Sequence, residues 1–162
     1  MLSDIIKGSS ISCSSIPGMT TALYVNASVS EAEVLTAVDT ITLPAGTFGI
    51  DGDYMEFEYC GSLAGDNDTE LFLYFGSDAL FHSAVIDPGN EAFTLKGTMV
   101  RTGPTSQYTV ATLLTSSLQV CTLNSTAITF GPGIDLVLKG IGTSGGAVSL
   151  SAAFRRFYFQ NR

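Results

Sequence analysis

The chain has no tryptophan, a single histidine, three cysteines, and seven lysines and arginines among its 162 residues. Without tryptophan, the Cys…Trp…Cys core of an immunoglobulin-type sandwich is excluded. Cys13, Cys60 and Cys121 are odd in number and far apart, which is no disulfide framework. The strand-like runs around Cys60 and Cys121 suit thiols acting as small hydrophobes. Seven cations against 15 acids leave a net charge of −8 and a pI of about 4.3. Such a chain has no electrostatic footprint for nucleic acid or for anionic lipid, both of them polyanions. No apolar run approaches the ~20 residues that span a bilayer, so no membrane partner is expected. Met1-Leu2-Ser3-Asp4-Ile5-Ile6-Lys7 lacks the basic and long apolar regions of a signal peptide. Together with the cysteine usage, this predicts synthesis in a reducing cytoplasm.

What is present is strand-forming. A hydrophobic content of 45 % excludes a disordered chain, and 14 % charge with 17 Gly is unlike a helical bundle. Met55, Phe57 and Tyr59 alternate with Glu56 and Glu58. Phe93, Leu95 and Met99 oppose Thr94, Lys96 and Thr98, and Tyr108, Val110, Thr112 and Leu114 share a face. Period-two patterning of this kind marks half-buried antiparallel strands. Strands are predicted over 21–29, 34–43, 53–60, 70–75, 80–86, 92–101, 107–114, 118–123, 127–130, 134–139 and 148–159. Turns fall at Asp51-Gly52, Pro88-Gly89-Asn90, Thr102-Gly103-Pro104 and Gly131-Pro132-Gly133. Ser30 and Glu33 mimic a helix capping box, but Val34, Thr36, Val38 and Thr40 favour a strand there. About ten short strands without helical crossovers predict an all-β, jelly-roll-like antiparallel β-sandwich over 20–162. The aromatic run Phe154–Phe159 is expected to be a central strand. Residues 1–19, with Leu2, Ile5, Ile6, Ile11 and Ile16 among glycines and serines, read as an N-terminal arm whose apolar residues contact protein neighbours.

The charge is split along the chain. Residues 1–91 hold 14 acids and Lys7, and residues 92–162 hold Asp135 and six cations. Either sheet pairing interleaves the halves in space, or acidic and basic surfaces meet in an assembly.

No catalytic, cofactor or metal site emerges. Gly140-Ile141-Gly142-Thr143-Ser144-Gly145 fits G-x-G-x-x-G but precedes a strand rather than a helix, and is expected to be a hairpin loop. Asp66-Asn67-Asp68-Thr69-Glu70 starts like a calcium loop, with Asp51 and Asp53 as conceivable additions, but has Leu71 where glycine is needed. His82 stands in no visible constellation with a nucleophile and an acid. Glu56 and Glu58 share a strand face, at nearer 7 Å than the ~5 Å of a retaining glycosidase pair. The sequons at Asn26, Asn67 and Asn124 come with no secretion signal.

Leu43-Pro44-Ala45-Gly46-Thr47-Phe48, Asp51-Gly52-Asp53, Tyr74-Phe75-Gly76 and Arg101-Thr102-Gly103 follow one another in a recognisable order. The pattern resembles small jelly-roll structural proteins of tailed-bacteriophage virions over about residues 20–160. The resemblance implies a non-enzymatic role without cofactor. The first expectation is a capsid decoration (cement) protein on the capsid surface, a homotrimer contacting major capsid protein subunits. The alternative is a receptor-binding head domain of a tail fibre or spike, with Tyr54 and Tyr108 as aromatic contacts. A chain divided into about 19 residues of arm and about 140 of sandwich leaves little length for a fibre shaft, which favours the shell.

Overall fold

Strand alternation becomes two facing sheets in the computed structural model, which describes residues 19–30, 36–43, 45–65, 68–87, 91–131, 133–142 and 148–160. The strands are β1 (Met19–Ser30), β2 (Thr36–Leu43), β3 (Tyr54–Gly65), β4 (Thr69–Phe75), β5 (Asp78–His82), β6 (Glu91–Gly103), β7 (Ser106–Leu114), β8 (Gln119–Asn124), β9 (Ile134–Gly142) and β10 (Val148–Gln160). One sheet has the order β1-β10-β3-β6-β7-β8 and the other β2-β9-β4-β5. All pairings are antiparallel. The order β1-β10-β3-β6 against β2-β9-β4-β5 is the interleaved wiring of an eight-stranded jelly roll, two Greek keys folded into a sandwich. The hairpin β7–β8 is an addition, inserted between β6 and β9, that widens the first sheet. As expected from its aromatic run, β10 is an inner strand, hydrogen-bonded to β1 on one side and β3 on the other.

The core lies between the sheets. Met55, Phe57 and Tyr59 of β3, Leu95 and Met99 of β6, and Leu113 of β7 meet Leu71, Leu73 and Phe75 of β4 and Leu136 and Leu138 of β9. Gly61 has Phe93 and Ala152 as cross-strand partners, beside the irregularity in β10 between Ala152 and Phe154. A Cβ at Gly61 would come within 2.0 Å of the Ser151 carbonyl and 2.7 Å of the Phe93 ring, so only glycine lets the strand and ring approach.

A polar tie crosses this apolar interior. Arg155 of β10 forms an ion pair with both carboxylate oxygens of Asp39 in β2, with only 12 % and 9 % of the two side chains exposed. The Tyr59 hydroxyl is buried beside them. Burial pushes its phenol well above the ordinary value; the Asp39 charge adds to this and Arg155 opposes it.

Four expectations need correction. Residues 127–130 form no strand; Ile128 donates one backbone hydrogen bond to Thr105 (3.1 Å) and buries its side chain from a loop. Gly140 and Gly142 end β9 in one sheet while β10 lies in the other, so the G-x-G stretch begins a crossover between sheets and not a hairpin. Alternation turns both Cys60 and Cys121 to the outer face of the sheet; Cys121 is exposed because β8 is an edge strand, and Cys60 is half-buried between neighbours on the inner strand β3. Met19 belongs to β1 and not to the arm. Of the competing helix at 30–38, Ser30 and Thr36–Val38 are in strands, and 31–35 lie outside the described residues.

The charge split resolves as interleaving. Asp39 pairs with Arg155, Asp51 with Arg101 and Glu58 with Arg156, each an acid of the first half with a cation of the second.

Candidate functional site

The family-like motifs converge at one end of the sandwich, around Arg101 on β6. Its Nη1 donates to the Phe48 carbonyl (2.5 Å), and its Nε donates to Asp51 Oδ1 and to the Gly103 carbonyl (both 3.2 Å). Its guanidinium lies 5.1 Å from the centre of the Phe130 ring. Phe48, Phe75 and Phe130 form a mutual cluster with centroids 5.5–5.8 Å apart. The backbone closes the same junction: Gly52 N–H donates to the Arg101 carbonyl (2.8 Å) and Arg101 N–H to the Asp53 carbonyl (2.9 Å). Asp53 is buried, and its Oδ2 accepts from Ile50 N–H (2.9 Å). Gly46 and Gly52 take φ of 81° and 95°, which explains the glycines in L-P-A-G and D-G-D. A cleft of about 270 Å³ lies here, lined by this cluster and Leu43. Phe48, Asp51, Asp53, Phe75 and Arg101 of these motifs are thus engaged in closing the end of the fold.

The other residues considered for chemistry are likewise engaged. His82 Nε2 lies 2.7 Å from Glu70 Oε2, and its ring stacks on Phe72 at 4.1 Å between centroids. Glu70, Asp51 and Asp53 thus each have a partner within the protein: His82, Arg101 and the Ile50 N–H. Among the described residues no three His, Cys, Asp or Glu side chains converge as they would around a metal ion. Asn124 donates its amide nitrogen, the atom a glycan would use, to the Ala79 carbonyl (3.0 Å).

The outer face of the six-stranded sheet has two chemically distinct halves. Over β10, β3 and β6 it is charged. Arg156, Glu58 and Lys96 are direct cross-strand neighbours, and Arg156 Nη2 lies 2.7 Å from Glu58 Oε2. In the next row Tyr158, Glu56 and Thr98 are neighbours. These residues line an open groove of about 610 Å³ that extends to Val110 and Thr112. Glu56 and Glu58, noted in the sequence for a shared face, do meet in this groove. Tyr54, at its margin, is half-buried and donates to Gln160 Oε1 (2.8 Å).

Over β7 and β8 the same face is apolar. Tyr108, Val110 and Leu114 of β7 are 55 %, 49 % and 50 % exposed, and Leu123 of β8 is 70 % exposed. Val110 and Leu123 are opposite one another in the ladder, and Cys121 lies opposite Thr112. Four of the six exposed large hydrophobics among the described residues therefore lie on this one hairpin. From Thr102 to Ile134 the chain has no Asp, Glu, Lys, Arg or His. This charge-free stretch is the sequence signal that identifies the surface; alternation put Tyr108, Val110, Thr112 and Leu114 on one face without showing that it is the outer one. Leu2, Ile5, Ile6, Ile11 and Ile16, the predicted contact residues of the arm, lie outside the described residues.

No protein-family model matches the chain, and no curated protein does. Among solved structures it is similar to the lectin UEA-II in complex with galactose, with a TM-score of 0.41 and 10 % identity, over 90 % of this chain and 92 % of that one. It is also similar to the CBM2 module of the evolved Dit of Lactobacillus casei BL23 phage J-1, with a TM-score of 0.33 and 9 % identity, over 87 % and 78 % of the two chains.

Proposed function

We propose that this chain is a non-enzymatic structural protein of a tailed-phage virion, a decoration protein that stabilises the capsid through protein–protein contacts. Its partners on this reading are major capsid protein subunits and further copies of itself, as a homotrimer, on the capsid surface. The observation that carries the reading is the exposed, charge-free face of β7–β8, since apolar patches of this kind mark surfaces that other proteins cover. The motif resemblance points the same way, and the end cluster around Arg101 supports reading those motifs as serving stability. The arm, with Leu2, Ile5, Ile6, Ile11 and Ile16, adds apolar contacts across shell joints, where many modest contacts sum to firm attachment.

A second reading, the receptor-binding head domain of a fibre or spike, is favoured by the groove at Glu56, Lys96, Thr98, Arg156 and Tyr158. Carboxylate, hydroxyl and cationic groups beside an aromatic ring suit a polar ligand with several hydroxyls. One experiment separates the two. Purified protein added to capsids assembled without it should bind saturably and raise their thermal stability, and deletion of residues 1–16 should abolish that binding. Saturable adsorption to host cells with no binding to capsids would overturn the proposal in favour of the second reading.

A further inference from the structure

The decoration reading leaves open what covers the β7–β8 hairpin. We infer that a second copy of this chain does: the hairpin is the surface through which the protein associates with itself.

Three observations select that occupant. Near a symmetry axis each residue meets its own copy or a close neighbour of it, so a charge placed there confronts a like charge. The net charge of −8 makes two copies repel one another on the whole. The stretch from Thr102 to Ile134 has no charged side chain to repel with. Second, β8 ends its sheet, and among the described residues no strand pairs with its other edge. It has no charged residue and no proline, and its pairing with β7 runs from Thr109–Asn124 to Leu114–Gln119 without a bulge. Such an edge invites another strand unless the assembly covers it. Third, the hairpin is held in place before it meets a partner. On its inner side Thr109 Oγ1 donates to Gln107 Oε1 (2.6 Å), and Gln107 Nε2 donates to Asn124 Oδ1 (2.8 Å) and to the Thr126 carbonyl (3.1 Å). Asn124 Nδ2 then donates to the Ala79 carbonyl of β5 (3.0 Å). Gln107 and Thr109 are fully buried, so the network fixes the hairpin and presents Val110, Leu114 and Leu123 on a rigid base. Docking a preformed surface avoids the cost of ordering it.

The inference rests on the decoration reading only for the surface being one that protein covers; the partner is argued from the hairpin itself. Sedimentation velocity on the full chain should show a concentration-dependent oligomer. Leu123→Lys, which puts a charge at the most exposed of the four hydrophobics, should weaken self-association at least about 30-fold, as for a central contact. Its circular dichroism and melting temperature should match the wild type, and Leu123→Met should restore assembly. A Cys13→Ser/Cys60→Ser protein, oxidised, should form covalent dimers through Cys121. A monomeric wild type, or a Leu123→Lys protein that associates as the wild type does, overturns the inference. If the wild type is monomeric and Leu123→Lys loses capsid occupancy, the hairpin faces the shell; the inference falls and the decoration reading stands. If wild type self-associates, Leu123→Lys does not, and neither binds capsids, the inference stands and the decoration reading falls.

Discussion

Replacing Asp39 with alanine should destabilise the fold by about 3–5 kcal/mol, the cost of leaving a buried charge without its partner. The Arg155 guanidinium lies between the sheets with 12 % of its side chain exposed, and no other ion pair to it is found among the described residues. Its cross-strand neighbours are Tyr59 on β3 and Leu23 on β1. An Arg155→Ala protein should lose a similar amount, because Asp39 is then the unpaired charge. The double variant Asp39→Leu/Arg155→Leu should recover most of the loss, since an apolar pair of comparable volume removes two desolvation costs together with one attraction. Urea denaturation of the two singles and the double gives the coupling directly. Single losses under about 1 kcal/mol would mean that solvent reaches the pair, as at an ordinary surface salt bridge.

Arg101→Ala is expected to cost about 2–4 kcal/mol, the sum of hydrogen bonds to buried carbonyls and the stacking of a guanidinium on an aromatic ring. It removes the donors to the Phe48 and Gly103 carbonyls and the Asp51 pair, and it uncovers Phe130. Lysine should not substitute, because a single ammonium cannot reach three acceptors in different directions while lying flat on Phe130. Thermal melts of the alanine and lysine variants test this; a lysine variant as stable as the wild type would reduce Arg101 to a general positive charge.

Both residues show where the sequence was legible and where it was not. Alternation at 54–60 and 92–101 gave the strands and their inward faces, because one side chain in two must leave water. At 107–114 it gave the strand, but the apolar set Tyr108, Val110 and Leu114 faces outward while Gln107, Thr109, Ala111 and Leu113 face the core. Alternation is silent on which sheet a strand joins. Asp39 and Arg155 lie 116 positions apart, and only the jelly-roll wiring brings β2 over β10. The short apolar run at 127–130 misled because a loop that packs Ile128 and Phe130 onto the core has the composition of a strand. The motifs around Pro44, Asp51 and Arg101 were conspicuous, but their common purpose, closing one end of the sandwich, needed the three-dimensional meeting of four distant segments. The β7–β8 surface was written in the sequence as a missing class of residue, from Thr102 to Ile134, rather than as a motif.

The central claim is that this protein belongs on the capsid. Cryo-electron microscopy of complete phage particles, with the chain located by a fused tag or specific antibody fragment, tests it most directly. The account predicts density repeated with the symmetry of the capsid over its outer surface, arranged as copies that touch one another through β7–β8. Density confined to the tail or its fibres, with a bare capsid, would contradict it.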